Sequence, residues 1–262
     1  MKRLLDVMAR LRDPRNGCPW DRQQTYQSLV PYTLEETYEV IDAIERGNLT
    51  ELKEELGDLL FQVVFYARLA EEQAAFDFDA IVTAIVDKMT RRHPHVFSDE
   101  TDTDPVSLAR RWEEIKTAEK LAKDTETGAE RPAGRLEGIP LQLPALTRAH
   151  KVGVRAARMG FDWPDHQGAR AKVAEELTEL DDAIAQADRA AITHEVGDLL
   201  LATVSLSRHL GVDPEGALRA ANRRFETRFR HVEAAVDAGQ AHGLEDMERY
   251  WAEAKALERA QS

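Results

Sequence analysis

At 262 residues, 43% of them hydrophobic and 32% charged, the chain has apolar material for two domains of roughly 120–130 residues. Its 48 acidic against 35 basic residues give a net charge of −13. That argues against a general nucleic-acid or anionic-membrane binder but leaves room for a polyphosphate accompanied by metal ions. The single cysteine, Cys18, excludes an internal disulfide and points to a reducing cytoplasm.

Leu4, Leu5, Val7, Met8 and Leu11 space as a short amphipathic helix, stopped by Asp13-Pro14-Arg15-Asn16-Gly17. Lys2 and Arg3 precede its leucines as in a targeting segment, but Arg10 and Arg12 interrupt too soon, and no apolar run is long enough to span a bilayer. Cys18-Pro19-Trp20-Asp21 reads as a loop, and Cys18, with no base nearby in sequence, is not expected to be a nucleophile. A helix over 30–46 carries Leu34-Glu35-Glu36-Thr37-Tyr38-Glu39, and Glu45-Arg46-Gly47-Asn48 stops it. A second helix over 49–73 carries Glu55-Leu56-Gly57-Asp58 and continues as Leu59-Leu60-Phe61-Gln62-Val63-Val64-Phe65, apolar on nearly every side and expected to be buried. Residues three or four apart share a helix face, so Glu36 pairs with Glu39 and Glu55 with Asp58. Carboxylates at the mouth of a buried helix are costly unless compensated. These four are expected to hold a hard divalent cation.

Asp77-Phe78-Asp79 opens a third helix reaching Arg92, ended by His93-Pro94-His95, which reads as a structural or anion-contacting helix end rather than a metal site. An acidic loop over 98–104, a helix over 105–123 with Trp112 and Lys116, and a Gly- and Pro-rich linker over 124–138 follow. The domains are therefore expected at 1–123 and 139–262. The second starts with a basic helix to Met159 and the loop Gly160-Phe161-Asp162-Trp163-Pro164. Helices over 168–186, 190–210, from Asp213-Pro214 onward, and over 247–259 complete it. No segment alternates as a strand, so the fold class is all-α, two tandem duplicated helical bundles.

The duplication is explicit. Glu175, Glu176, Glu179, Glu195 and Asp198 each lie 140 residues after Glu35, Glu36, Glu39, Glu55 and Asp58, and Trp251 and Lys255 lie 139 after Trp112 and Lys116. Composition can repeat leucines, but hardly five acids in register. Two other classes stand beside the metal reading. Di-iron bundles use Glu-x-x-His, whereas here Asp58 and Asp198 stand three residues after the glutamate, and His194 precedes it. All-oxygen ligands favour Mg2+ or Mn2+ over iron. The third class is a non-catalytic helical dimer with acids as surface decoration.

With Glu-Glu-x-x-Glu and Glu-x-x-Asp present twice, together with Cys18-Pro19-Trp20-Asp21, His93-Pro94-His95-Val96-Phe97 and Phe225-Glu226-x-x-Phe229, the chain resembles the MazG family of nucleoside triphosphate pyrophosphohydrolases over nearly its whole length. The resemblance implies all-α domains, Mg2+ dependence with Mn2+ as a substitute, homodimers, and hydrolysis of NTPs or dNTPs to monophosphate and pyrophosphate in nucleotide-pool housekeeping or stress regulation. It implies that Glu176, Glu179, Glu195 and Asp198, and again Glu36, Glu39, Glu55 and Asp58, bind metal, the first four being catalytic. Its basic nucleotide contacts correspond to Lys172, Arg224, Arg228 and Lys255, with Trp251 walling the site. A solvated arginine face is the competing reading of Arg224 and Arg228. The two halves differ: Lys172 is matched by neutral Tyr32, and the helix before His93-Pro94 is expected to leave Lys88, Arg91 and Arg92 in another geometry than Arg224 and Arg228. The second half is accordingly expected to do most of the hydrolysis.

Overall fold

A computed structural model describes residues 1–97, 104, 107–108, 111–112, 115, 118–119 and 134–261. The elements are α1 (Lys2–Leu11), α2 (Pro19–Gln23), α3 (Tyr26–Arg46), α4 (Leu49–Glu72), α5 (Phe78–Arg92), α6 (Pro94–Phe97), α7 (Ala145–Ala157), α8 (His166–Ala185), α9 (Arg189–His209), α10 (Pro214–Asp237) and α11 (Leu244–Gln261). Among the described residues there is no strand, and the fold is all-α. Of the helix read over 105–123, the described residues Ser107, Leu108, Arg111, Trp112, Ile115, Ala118 and Glu119 are helical; Lys116 and 120–133 lie outside the described residues. The chain divides into two compact units, Met1–Thr127 and Gly128–Ser262.

In the first unit α3 and α4 form an antiparallel pair. Thr25 and Ser28 cap α3 reciprocally, each side chain accepting the other's backbone N–H. This cap starts α3 four residues before the expected position, and Pro31 is carried inside it at the loss of one rung. Gly47 ends α3 at φ 69°, and the Asn48 side chain caps α4. Val64, Phe65 and Leu69 of α4 pack with Met8 of α1 and Leu29 of α3 into the unit's core. Complete burial of side chains such as Phe65 contributes about 1.5–3 kcal/mol each. The segment read as a loop at Cys18 is instead the start of α2, because Pro19 occupies a first-turn position where its missing N–H costs nothing. Arg12 locks this corner, bonding Glu72 of α4 at 2.6 Å and donating to the Asp21 carbonyl. The expected burial of α4 holds over its second half, where no residue from 61 to 70 is exposed, while Leu60 at the start of the apolar run and Leu56 before it stay exposed.

In the second unit α8 and α9 repeat the antiparallel pair. Here the left-handed turn residue is Ala187, φ 54°, at the position 140 after Gly47, and Asp188 caps α9. Asp162 joins the loop before α8 to the end of α9, accepting from Arg208 at 2.5 Å and His209 at 3.0 Å, which holds its carboxyl down at about 2. α7 packs against α9 and α10, and α11 against α10. Among the described residues no helix is long and apolar enough to cross a membrane.

Candidate metal centres on paired helices

The helical period puts Glu36 and Glu39 one turn apart on α3, and Glu55 and Asp58 one turn apart on α4. Antiparallel packing then brings carboxylate oxygens of Glu36, Glu55 and Asp58 within 4.8 Å of one another. Burial, followed by the charges of Asp58, Glu39 and Glu55, pushes the Glu36 carboxyl above its ordinary value. Burial, then Glu39 and Asp58, does the same to Glu55. Glu39 is outside that group of three, yet its charge acts on both Glu36 and Glu55.

The second unit is more elaborate. Oxygens of Glu176, Glu179 and Glu195 fall within 4.8 Å of one another, and so do ligand atoms of His194, Glu195 and Asp198. Glu195 belongs to both groups. Glu176 is only 4% exposed; its Oε1 receives the Lys172 ammonium at 2.8 Å, while its Oε2 is buried and accepts no hydrogen bond. Lys172 also reaches Glu175 at 2.8 Å, and the two carboxylates raise its proton affinity. Burial and the Glu176 charge raise Glu179, against the lowering influence of Lys172. In the first unit Tyr32 occupies the Lys172 position and packs edge-on against Trp20, centroids 5.6 Å apart; Glu36 takes part in no ion pair among the described residues.

Of the expected nucleotide-contact residues besides Lys172, Arg228 and Trp251 lie together. Arg228 pairs with Glu258 at 2.6 Å and lies 5.8 Å from the Trp251 ring, which also meets Phe225 at 5.0 Å. Arg224 and Lys255 are exposed. None of Arg224, Arg228, Trp251 and Lys255 contacts the carboxylates by a hydrogen bond, ion pair or ring contact among the described residues.

The first unit contains a matching arginine, tryptophan and glutamate set, which corrects the expectation of a different geometry for Arg92, while Arg91 also pairs with Glu119, at 2.8 Å, where the second unit has Thr227. Arg92 pairs with Glu119 at 2.5 Å and lies 5.5 Å from the Trp112 ring. Trp112 and Glu119 precede Trp251 and Glu258 by 139, and Arg92 precedes Arg228 by 136. The shift arises because the helix-capping aspartates Asp77 and Asp213 are themselves 136 apart, so α5 and α10 start in step and Arg92 is reached before His93-Pro94 interrupts. His93 packs on Trp112 at 4.7 Å, and a cavity of about 490 Å³ lies between α5, His95 and Trp112.

Sequence reasoning overlooked three residues, His194, Glu119 and Glu258. His194 was set aside because it precedes Glu195, yet it stands four residues before Asp198 on the same face, 3.1 Å from its Oδ2. Glu119 and Glu258, which hold the two arginines, carried the signal of the same 139-residue offset as the tryptophans.

Two all-α units, each presenting a carboxylate cluster from an antiparallel helix pair, define a duplicated helical protein with the donor set of a divalent-cation site. The model of the MazG nucleotide pyrophosphohydrolase domain matches twice, over residues 24–97 and 165–233. The chain is 50% identical to the nucleoside triphosphate pyrophosphohydrolase of Escherichia coli K12, covering 98% of this chain and 97% of that one. It is 41% identical to the nucleoside triphosphate pyrophosphohydrolase/pyrophosphatase MazG of Thermotoga maritima, covering 96% and 94%. Among solved structures, a mazG-related protein from Thermotoga maritima matches with 26% identity and a TM-score of 0.39, covering 45% of this chain and 99% of that one. The chain belongs to the MazG nucleotide pyrophosphohydrolase family.

Proposed function

We propose that the chain hydrolyses ribo- and deoxyribonucleoside triphosphates at the α–β linkage, giving nucleoside monophosphate and pyrophosphate with Mg2+ or Mn2+. As a family member it is a nucleotide pyrophosphohydrolase, the activity that names its Escherichia coli relative. The observation that carries the metal reading is Glu176, a buried carboxylate with one oxygen on Lys172 and the other accepting nothing, inside a group of converging acids. A hard divalent cation fits that donor set. Glu176, Glu179, Glu195 and Asp198 would hold it in the second unit, and Glu36, Glu39, Glu55 and Asp58 in the first. When bound, the ion supplies positive charge and Lewis acidity toward the polyphosphate, whose roughly four negative charges the bare acids would repel.

The chain's own residues do the rest. Lys172, displaced from Glu176, lies within a helical turn of the site and turns its ammonium to a phosphate oxygen. Arg228 is anchored through Nε and Nη2 on Glu258 and lies beside Trp251, which leaves its remaining N–H groups to meet a phosphate. Arg224 and Lys255 add charge toward the phosphates, and Trp251 walls the base or sugar. One of the cluster's carboxylates, its proton affinity raised by its neighbours, accepts the proton of the attacking water.

We assign most of the turnover to the second unit, 139–262, with 1–123 as its counterpart across 124–138. Both units carry the arginine, tryptophan and glutamate cluster, so the difference rests on Lys172 against Tyr32 rather than on the arginines. The protein is read as a homodimer, since Leu56 and Leu60 on α4 and Leu200 and Leu201 on α9 remain exposed within one chain. A free Cys18 suits a reducing cytoplasm. The role proposed there, from the activity itself, is clearing nucleotide pools, and unchanged triphosphate pools in a deletion strain would count against it. The decisive assay is a panel of NTPs and dNTPs with Mg2+, resolving products. Monophosphate with pyrophosphate is expected, and diphosphate with phosphate would remove the proposal.

A further inference from the structure

We propose that His194 gives the second unit's site a nitrogen ligand. It forms, with Glu195 and Asp198, a second cation position that selects a first-row transition ion such as Mn2+ over Mg2+. This rests on the carboxylate site being a metal site. His194 Nδ1 lies 3.1 Å from Asp198 Oδ2 and 3.4 Å from Glu195 Oε1, so one imidazole nitrogen faces two carboxylates at once. Two donors each about 2.1 Å from one ion, at a right angle, are about 3 Å apart, so this spacing admits a shared ion with little movement. Glu195 also belongs to the group with Glu176 and Glu179, whose ligand atoms lie within 4.8 Å of one another, and it is placed to bridge two cations. The adjoining group, joined to this one through Glu195, contains Glu176, 4% exposed, with an oxygen that accepts no hydrogen bond.

The competing account is an ordinary surface pair, since the His194 side chain is 72% exposed and sits four residues before Asp198. The chain provides its own control. The position 140 residues earlier is Glu54, so the first unit's site is built of oxygen donors alone, while the second mixes oxygen and nitrogen. Imidazole is a borderline donor that suits first-row transition ions, whereas Mg2+ takes oxygen. The two sites of one molecule should therefore differ in metal preference.

The experiment takes the full-length chain stripped of metal, adds Mn2+, and reads directly coordinated nitrogen by pulsed EPR, alongside calorimetric titrations with Mn2+ and Mg2+. Nitrogen coupling is expected in the wild type and is lost in His194→Gln, whose second site binds Mn2+ at least about tenfold more weakly while Mg2+ affinity stays within about twofold. Adding Glu54→His to His194→Gln is expected to restore the coupling, now from the first unit. Bound Mn2+ without nitrogen coupling in the wild type, or coupling that persists in His194→Gln, overturns the proposal and leaves the carboxylate site standing. Failure of the wild type to bind either ion overturns that site as well.

Discussion

At the scale of single residues the molecule turns on Glu176, which is nearly inaccessible yet keeps company with Glu179 and Glu195. Lys172 stands in for a cation there, taking one oxygen of Glu176 at 2.8 Å. Lys172→Met should leave that carboxylate buried without its charge partner, a loss of about 1–3 kcal/mol in metal-free protein. A thermal melt in EDTA should show the drop, and excess Mg2+ should restore much of it, because an ion bound only by the folded state raises its stability. An EDTA melt identical to wild type would mean that the ammonium is not compensating Glu176. The carboxylates were legible in the sequence because three- and four-residue spacing fixes a helix face whatever surrounds it. His194 was missed because it was compared with a Glu-x-x-His template, when its relation is to Asp198 one turn on.

At the scale of elements, the same helix pair is built twice with different turn chemistry. The left-handed turn residue is Gly47 between α3 and α4 but Ala187 between α8 and α9, at φ 69° and 54°. A Cβ in that region costs about 1–2 kcal/mol, partly offset by the extra freedom glycine has in the unfolded chain. Ala187→Gly should therefore stabilise the protein by about 0.5–1 kcal/mol, and Gly47→Ala should destabilise it by a similar amount, both measured by urea unfolding. A destabilised Ala187→Gly would contradict this account of the turn. Helix existence followed from apolar periodicity, but two starts did not. The reciprocal Thr25 and Ser28 cap lies upstream of α3's first carboxylate, and Pro19 begins α2 where it looked like a loop breaker. The Arg92 cluster was hidden because insertions change the repeat offset from 140 to 136 between elements, so one fixed subtraction misaligns α5 with α10.

At the scale of the whole molecule, apolar side chains on the carboxylate helices look outward. Leu56 and Leu60 on α4, and Leu200 and Leu201 on α9, are between one-third and three-fifths exposed. The sequence marked α4 as apolar on nearly every side, and one chain covers it over 61–70 but leaves Leu56 and Leu60 nearer its start uncovered. What covers the rest is not written in the periodicity, because a helix pattern states which faces are apolar and not which chain meets them. Sedimentation velocity at micromolar concentration should give a dimer, and a monomer there would contradict the proposed assembly. The central claim is that the duplicated carboxylates make metal-dependent hydrolytic sites and that the second does most of the work. It is tested most directly by product analysis of the full-length chain with ATP and Mg2+, comparing wild type with Glu179→Gln and Glu39→Gln. AMP and pyrophosphate from the wild type, turnover reduced at least about a hundredfold in Glu179→Gln and retained in large part in Glu39→Gln, is the predicted result. Near-normal turnover in Glu179→Gln with unchanged Mg2+ dependence would contradict it.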